Sequence, residues 1–202
     1  MNFLPDFREL LLTIPPILFA LTVHEFAHAW AANRLGDPTA RMLGRLTMNP
    51  VAHLDPLGTL MILFANFGWG KPVPVDVRYL KRPKQDMLWI ALAGPISNVI
   101  SAACFGAAFR YLPDAAFRWA EVIMILQYAV FINLIPLPPL DGSKVLAGLL
   151  PLRQEMAYRR LEQPLSILLI VLIMAGMIFH FSLIGRIIMP PVVFLTRLLM
   201  GV

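Results

Sequence analysis

The chain has 202 residues, of which 58% are hydrophobic and only 14% are charged, against roughly 25% charged residues in an ordinary soluble domain. This composition argues against a soluble globular protein, and the single Cys104 excludes a disulfide framework. The net charge of +5 could suggest a nucleic-acid-binding protein. Because membrane topology explains the positions of the basic residues better, we expect no nucleic-acid partner.

The first apolar segment carries the motif HEFAH at positions 24–28, and Glu25 is the only charged residue between positions 10 and 32. On a helix, His24 and His28 lie one turn apart on one face, about 6 Å from each other, so both imidazoles can bind one Zn²⁺ ion. Glu25 can then act as general base on a metal-bound water. A carboxylate near the middle of a membrane costs about 2.5–3.5 kcal/mol, which favours a functional role.

The region 36–86 is punctuated by Gly, Pro and Asp, which indicates turns. Within it, the apolar stretch 57–70 is too short to span a bilayer, and we expect a re-entrant or interfacial segment. Residues 71–78 alternate β-branched residues with prolines, a pattern typical of an exposed edge strand that could pair with an extended substrate. His53 has two interpretations, a hydrogen-bonded structural residue or an accessory residue at a metal or substrate site.

A second polar motif follows the third long apolar stretch, at positions 133–142. Three prolines in four residues, 136–139, must unwind the backbone just before Asp141, because proline lacks a backbone donor. An HExxH pair needs a third protein ligand, and Asp141 is the best candidate since no Glu lies between Glu25 and Glu121. The alternative is that Asp141 caps the N-terminus of the following helix.

The apolar stretches predict an all-α polytopic membrane protein with about four to six transmembrane helices and a small re-entrant or extended β element in region 36–86. We expect one integral membrane domain over residues 1–202. The predicted spans are 10–34, 87–109, 118–140, 164–183 and 187–201.

The distribution of Lys and Arg predicts the orientation of these spans. If the first span runs from outside to inside, twelve basic residues lie in cytoplasmic segments and four lie outside. This is the positive-inside pattern. We therefore expect a multi-pass protein of the cytoplasmic (inner) membrane, with the motif at 24–28 and Asp141 toward the cytoplasmic side of the bilayer.

Five segments together resemble the site-2 protease family of intramembrane zinc metalloproteases, and in particular its compact bacterial members without a PDZ or nucleotide-sensing domain. The resemblance covers roughly residues 15–160. It rests on HEFAH (24–28), GRLTMNPVAHLDPLG (44–58), GWGKPVPV (68–75), GPISN (94–98) and NLIPLPPLDG (133–142).

The resemblance implies that a metal-activated water cleaves transmembrane or membrane-anchored protein substrates. By position, His24, His28 and Asp141 match the family's metal ligands, for one Zn²⁺ per chain, and Glu25 matches the general base. Asn98 and Asn133 match polar residues that hold substrate or the oxyanion. From the residues alone, each asparagine could equally be an interhelical hydrogen-bonding residue.

Two other functions compete with an intramembrane protease. A catalytically silent, substrate-binding relative would be expected to lack Glu25 or Asp141, and both are present. A membrane metal transporter would not need Glu25 beside a ligand, and the chain shows no internal repeat typical of transporters. The sequence indicates no particular oligomeric state.

Overall fold

The computed structural model describes residues 7–65, 68–112, 119–179 and 183–202. In these ranges the chain forms α-helices joined by turns and extended segments, with single 3₁₀ turns at Pro50–His53 and Val77–Tyr79. The α-helices are α1 (Phe7–Leu35), α2 (Thr39–Met42), α3 (Pro56–Ala65), α4 (Pro83–Tyr111), α5 (Trp119–Asn133), α6 (Asp141–Leu149), α7 (Leu152–Arg160), α8 (Glu162–Ile178) and α9 (Leu183–Met200).

Helix α4 is the centre of the fold and packs against α1, α5, α6 and α9. It begins with Pro83, whose missing N–H is harmless in a first helical turn. Further along, the small Ala102 packs with Ala20 of α1 and with Ile123 and Leu126 of α5, all fully or almost fully buried. Small side chains at these positions let the helices approach closely, as in the interior of helical membrane proteins.

The all-α class is confirmed, whereas the predicted number of spans is not supported by helix length and composition. Within the described ranges, two helices are long and apolar enough to cross a membrane, Pro83–Tyr111 and Leu183–Met200. Two shorter apolar stretches lie in Ala120–Asn133 and Glu162–Gly176.

The prediction of a β-strand between the first two spans is wrong. Residues 71–76 are extended, but the described part of this region contains only an isolated antiparallel bridge between Leu54 and Gly70. Pro72 and Pro74 have no N–H to donate to a ladder. The predicted short apolar segment exists as the ten-residue helix α3.

The third predicted span, 118–140, is also shorter than expected as a helix. Helix α5 ends at Asn133, and residues 134–140 form a run of turns before α6 begins. The prolines therefore unwind seven residues instead of only the last few. Leu140 occupies the N-cap position of α6 and Asp141 is its first helical residue, so the capping alternative for Asp141 does not apply.

Candidate metal centre

Three buried ligand atoms from two distant parts of the chain meet at one point. His24 and His28 lie on the same face of α1, and Asp141 arrives from the start of α6. The Nε2 atoms of the two histidines are 3.0 Å apart, and each is 3.0 Å from Oδ2 of Asp141. The three metal ligands predicted from the sequence are thus brought together.

This arrangement fits a zinc ion. Tetrahedral bonds of about 2.0–2.1 Å place neighbouring ligand atoms about 3.3 Å apart, close to the separations found here. Two imidazoles and one carboxylate are also a donor set of catalytic zinc sites, which keep the fourth position for water or substrate. A metal at this point would satisfy three buried polar groups at once.

The Asp141 side chain is fixed at both oxygens. Its Oδ2 faces the two histidines, and its Oδ1 lies 3.5 Å from Nζ of Lys144, one turn along α6. The next residue is Gly142, where a Cβ atom would lie 2.3 Å from the backbone oxygen of Leu134. The absence of a side chain at Gly142 is therefore what lets the turn segment pack against the start of α6.

Helix α4 forms the other wall of the centre. Nδ1 of His28 lies 2.7 Å from the backbone oxygen of Ile90, and Nδ1 of His24 lies 3.4 Å from Nδ2 of Asn98. Between them, a Cβ on Gly94 would lie 2.5 Å from Nε2 of His28 and 2.6 Å from Nε2 of His24. Only glycine leaves room for the two imidazoles at this position.

The predicted general base, Glu25, is buried and contacts the extended segment 70–76. Its Oε2 accepts a hydrogen bond of 3.1 Å from the backbone N–H of Val73. At its two ends, this segment is held by the Lys71 N–H donating to His53 O and the Asp76 N–H donating to a carboxylate oxygen of Asp37. The segment therefore lies against the base without forming a sheet.

Arg45 and His53 also hold this segment in place. The buried Arg45 guanidinium donates to the backbone oxygens of Lys71 and Pro72, and burial lowers its pKa while the nearby charge of Glu25 opposes that shift. His53 is fully buried, with Nε2 2.8 Å from Thr47 O and Nδ1 3.5 Å from Arg45. Its described contacts are thus to the scaffold of the segment and not to the three ligand atoms.

A cavity of about 470 Å³ opens onto the centre. It is lined by the three ligands, Glu25 and both predicted asparagines, together with apolar residues of α1 and α5 and part of segment 68–75. Asn98 is fully buried in its wall, whereas Asn133 is partly buried and donates through Nδ2 to Ala129 O. The cavity therefore joins the candidate ligands and base to an extended backbone and an apolar surface.

Sequence reasoning did not find the contributions of Ile90, Arg45 and Val73. Two of them act through backbone atoms, which leave no mark in the sequence. A signal for Arg45 did exist, since a charged residue in the largely apolar and turn-rich stretch 44–58 invites a search for a buried partner.

Several curated proteins align with this chain. "Putative zinc metalloprotease YwhC" of Bacillus subtilis (strain 168) is 41% identical over 150 residues, which are 67% of this chain and 67% of the relative. "Putative zinc metalloprotease Rip2" of Mycobacterium tuberculosis (strain ATCC 25618 / H37Rv) is 34% identical over 169 residues, 78% of this chain and 64% of the relative. The protein of that name in Mycolicibacterium smegmatis is 32% identical over 143 residues, 65% and 54% of the two chains.

The chain thus spans about two thirds of the length of the Bacillus relative and less of the mycobacterial ones. No protein-family model matches it. No solved structure matches it either. The candidate metal centre and the named relatives together indicate a zinc metalloprotease. The chain belongs to the site-2 protease family of zinc metalloproteases, which confirms the resemblance found in the sequence.

Proposed function

We propose that this protein is an intramembrane zinc metalloprotease that hydrolyses peptide bonds in or near the transmembrane segments of membrane-anchored proteins. The observation that carries the proposal is the convergence of His24, His28 and Asp141 at mutual distances of 3.0 Å, with Glu25 beside them in one cavity. Membership of a metalloprotease family supports it.

One Zn²⁺ ion per chain would be held by His24, His28 and Asp141. When bound, zinc supplies Lewis-acid polarisation of the scissile carbonyl and lowers the pKa of a water in its open position toward about 7. The chain's own contribution is to hold the three ligand atoms in place, through α1 for the histidines and through the start of α6 for Asp141.

Glu25 would accept the proton of the attacking water and pass it to the leaving amine. Because it follows His24 on the same helix and lines the same cavity, it can reach the reacting atoms without being a ligand. The Val73 N–H holds one carboxylate oxygen, Oε2, and so fixes the rotamer of the side chain. The other oxygen remains to face the water.

The lining of the cavity is suited to a peptide substrate that enters from the membrane. Apolar residues such as Ile17, Leu21 and Ile132 line it together with the extended segment. A helical peptide hides its carbonyls, so the substrate must be extended at the scissile bond before water can attack. Asn133 can help at this point, because its amide has two N–H groups and one donates to Ala129 O, which leaves the other for the oxyanion.

We further propose a multi-pass protein of the cytoplasmic membrane with the active site toward the cytoplasm. The positions of the basic residues support this orientation. Arg45 and Lys71 lie close to the centre in the segments assigned to the cytoplasmic side, and Lys144 lies beside Asp141. Two helices able to cross a membrane support the membrane location.

The function is tested by incubating the purified, detergent-solubilised chain with a panel of single-span peptides, with and without a chelator. We expect cleavage that the chelator abolishes and added Zn²⁺ restores. The variant Glu25→Gln should fold and keep its zinc, but cleavage should fall by at least the ~10²-fold typical of losing a general base. The exposed Glu162→Gln is the matched control and should cleave normally. Cleavage by zinc-loaded Glu25→Gln at the wild-type rate would show that the proposed mechanism is wrong.

A further inference from the structure

The two candidate histidine ligands differ in what holds their second ring nitrogen. A neutral imidazole that binds a metal through Nε2 carries its proton on Nδ1, and that N–H needs an acceptor to fix the ring. For His28 the acceptor is the backbone oxygen of Ile90, at 2.7 Å. For His24 the neighbour is the side-chain amide of Asn98, at 3.4 Å.

The amide of Asn98 is oriented so that its nitrogen Nδ2 faces Nδ1 of His24. With a metal on Nε2 both groups would be donors, and no hydrogen bond could form. At the same time, the amide oxygen Oδ1 is buried without a hydrogen-bond partner among the residues that the structure describes. A half-turn of the terminal amide exchanges the two atoms, places Oδ1 against Nδ1–H and removes both conflicts.

We infer that Asn98 is a positioning residue for the metal centre, whose Oδ1 accepts the Nδ1–H of His24 and thereby directs Nε2 of that ring at the metal. The inference rests on the proposed zinc site. It assigns to Asn98 a role other than the substrate or oxyanion contact implied by the resemblance. Its complete burial agrees, since Asn98 sits behind the His24 ring in the wall of the cavity.

The spacing on α4 supports the same conclusion. Ile90, Gly94 and Asn98 are four residues apart and share one helix face, which lies against the face of α1 that carries His24 and His28. Helix α4 thus supplies one acceptor for each imidazole and, at Gly94, the gap between them. Because the Ile90 oxygen already contacts Nδ1 of His28, the Nδ1–H of His24 needs an acceptor of its own, and Asn98 is the residue at that position.

The test is a zinc competition titration with a chromogenic chelator on the purified full-length chain in detergent. Asn98→Leu keeps the branched shape and the number of side-chain heavy atoms but cannot accept a hydrogen bond, and zinc affinity should fall by about 10- to 100-fold, as for other partners of metal-bound histidines. Asn98→Asp supplies a stronger acceptor, and its zinc affinity should equal or exceed that of the wild type. Gln127→Leu is the matched control, because Gln127 is also buried with an unpaired amide oxygen but lies outside the cavity.

Cobalt substitution gives a readout that does not depend on activity. The ligand-field spectrum of the Co²⁺ protein should change in Asn98→Leu and stay close to wild type in Asn98→Asp and Gln127→Leu. Unchanged zinc affinity in Asn98→Leu, or an equal loss in Asn98→Asp, would overturn the inference. An oxyanion role would instead leave zinc affinity intact in both variants and reduce only the rate of cleavage.

Failure of the proposed function can be distinguished from failure of the role assigned to Asn98. Wild-type protein that binds no zinc, or His28→Ala protein that binds it as tightly as wild type, would overturn the zinc site and this inference with it. Wild-type zinc binding that depends on His28 but not on position 98 would overturn only the role of Asn98.

Discussion

The close contact at Gly94 offers a sharp test of the metal centre, because the smallest possible side chain should destroy it. In Gly94→Ala the added Cβ would lie 2.5 Å from Nε2 of His28 and 2.6 Å from Nε2 of His24. Ordinary van der Waals contact begins near 3.4 Å, so an imidazole or the helix must move by about 0.9 Å. Metal–ligand distances tolerate deviations of only about 0.2 Å. We therefore expect loss of tight zinc binding.

Loss of zinc in Gly94→Ala can be distinguished from two general effects of an added methyl group, a change in helix propensity and overpacking. Alanine is favoured over glycine inside a helix by about 0.5–1 kcal/mol, which would stabilise the variant if the site were open. Gly106→Ala is the matched control in the same helix, since its Cβ would lie 2.9 Å from Leu199 of α9, away from the centre. Overpacking there should cost about 1–3 kcal/mol of stability and leave zinc content unchanged.

Zinc per chain, measured by elemental analysis after gel filtration, checks the prediction for Gly94, and thermal unfolding monitors the stability of both variants. If Gly94→Ala retains one zinc per chain with wild-type affinity, His24 and His28 do not bind the metal through Nε2 atoms packed against position 94.

Three further predictions follow from the same geometry. Asp141→Ala should lose tight zinc in the same elemental analysis, because two imidazoles alone leave the ion with too few protein ligands. Val73→Pro removes the N–H that holds Glu25, and since hydrogen bonds to charged groups contribute about 1.5–3 kcal/mol, peptide cleavage should fall about tenfold to a hundredfold with zinc retained. In a cysteine-free background, cysteines at the exposed positions Met42 and Leu112 should differ in intact cells. An impermeant thiol reagent should label only position 112, and the reverse pattern would overturn the proposed orientation.

The part of the site that can be predicted from the sequence is the part determined by helix geometry and by the chemistry of proline. A helix places His24 and His28 one turn apart whatever surrounds it, so the motif predicts their meeting. The prolines before Asp141 predict an irregular segment there, and proline chemistry alone is enough to do so. The position of Asp141 against the histidines was therefore a prediction with a physical basis, although they are separated by more than a hundred residues.

The failures have a common physical cause. The pattern at 71–78 favours a strand, but a strand requires a partner with free donors and acceptors. Here the Lys71 N–H donates to His53 O, the Val73 N–H donates to Glu25, and Arg45 covers two carbonyls. A local sequence pattern cannot show that these backbone N–H and C=O groups already form hydrogen bonds with residues elsewhere in the chain. The role of the Ile90 backbone oxygen could not be predicted either, because every residue carries a backbone oxygen.

Some residues of the site lie on helices and others on irregular backbone, and this division matters for the proposed mechanism. His24, Glu25 and His28 lie on α1, and Ile90, Gly94 and Asn98, which contact the two histidines, lie on α4. The proposed base and two of the proposed ligands are thus placed by one pair of packed helices.

Two segments of irregular backbone lie beside that helix pair. Segment 70–76 lies against Glu25, and the turns at 134–140 lead to Asp141. In the proposed protease, a peptide that presents its carbonyl to the centre would displace or pair with one of these segments, because the other described residues that line the cavity, apart from Gly68 and Trp69, lie on helices. The Val73 N–H lies on segment 70–76 and donates to Glu25, the proposed general base, so a movement of that segment on substrate entry would change the orientation of the Glu25 carboxylate. In the proposed mechanism, substrate entry and the alignment of Glu25 would thereby be linked through one hydrogen bond, which is why Val73→Pro should affect cleavage more than zinc binding.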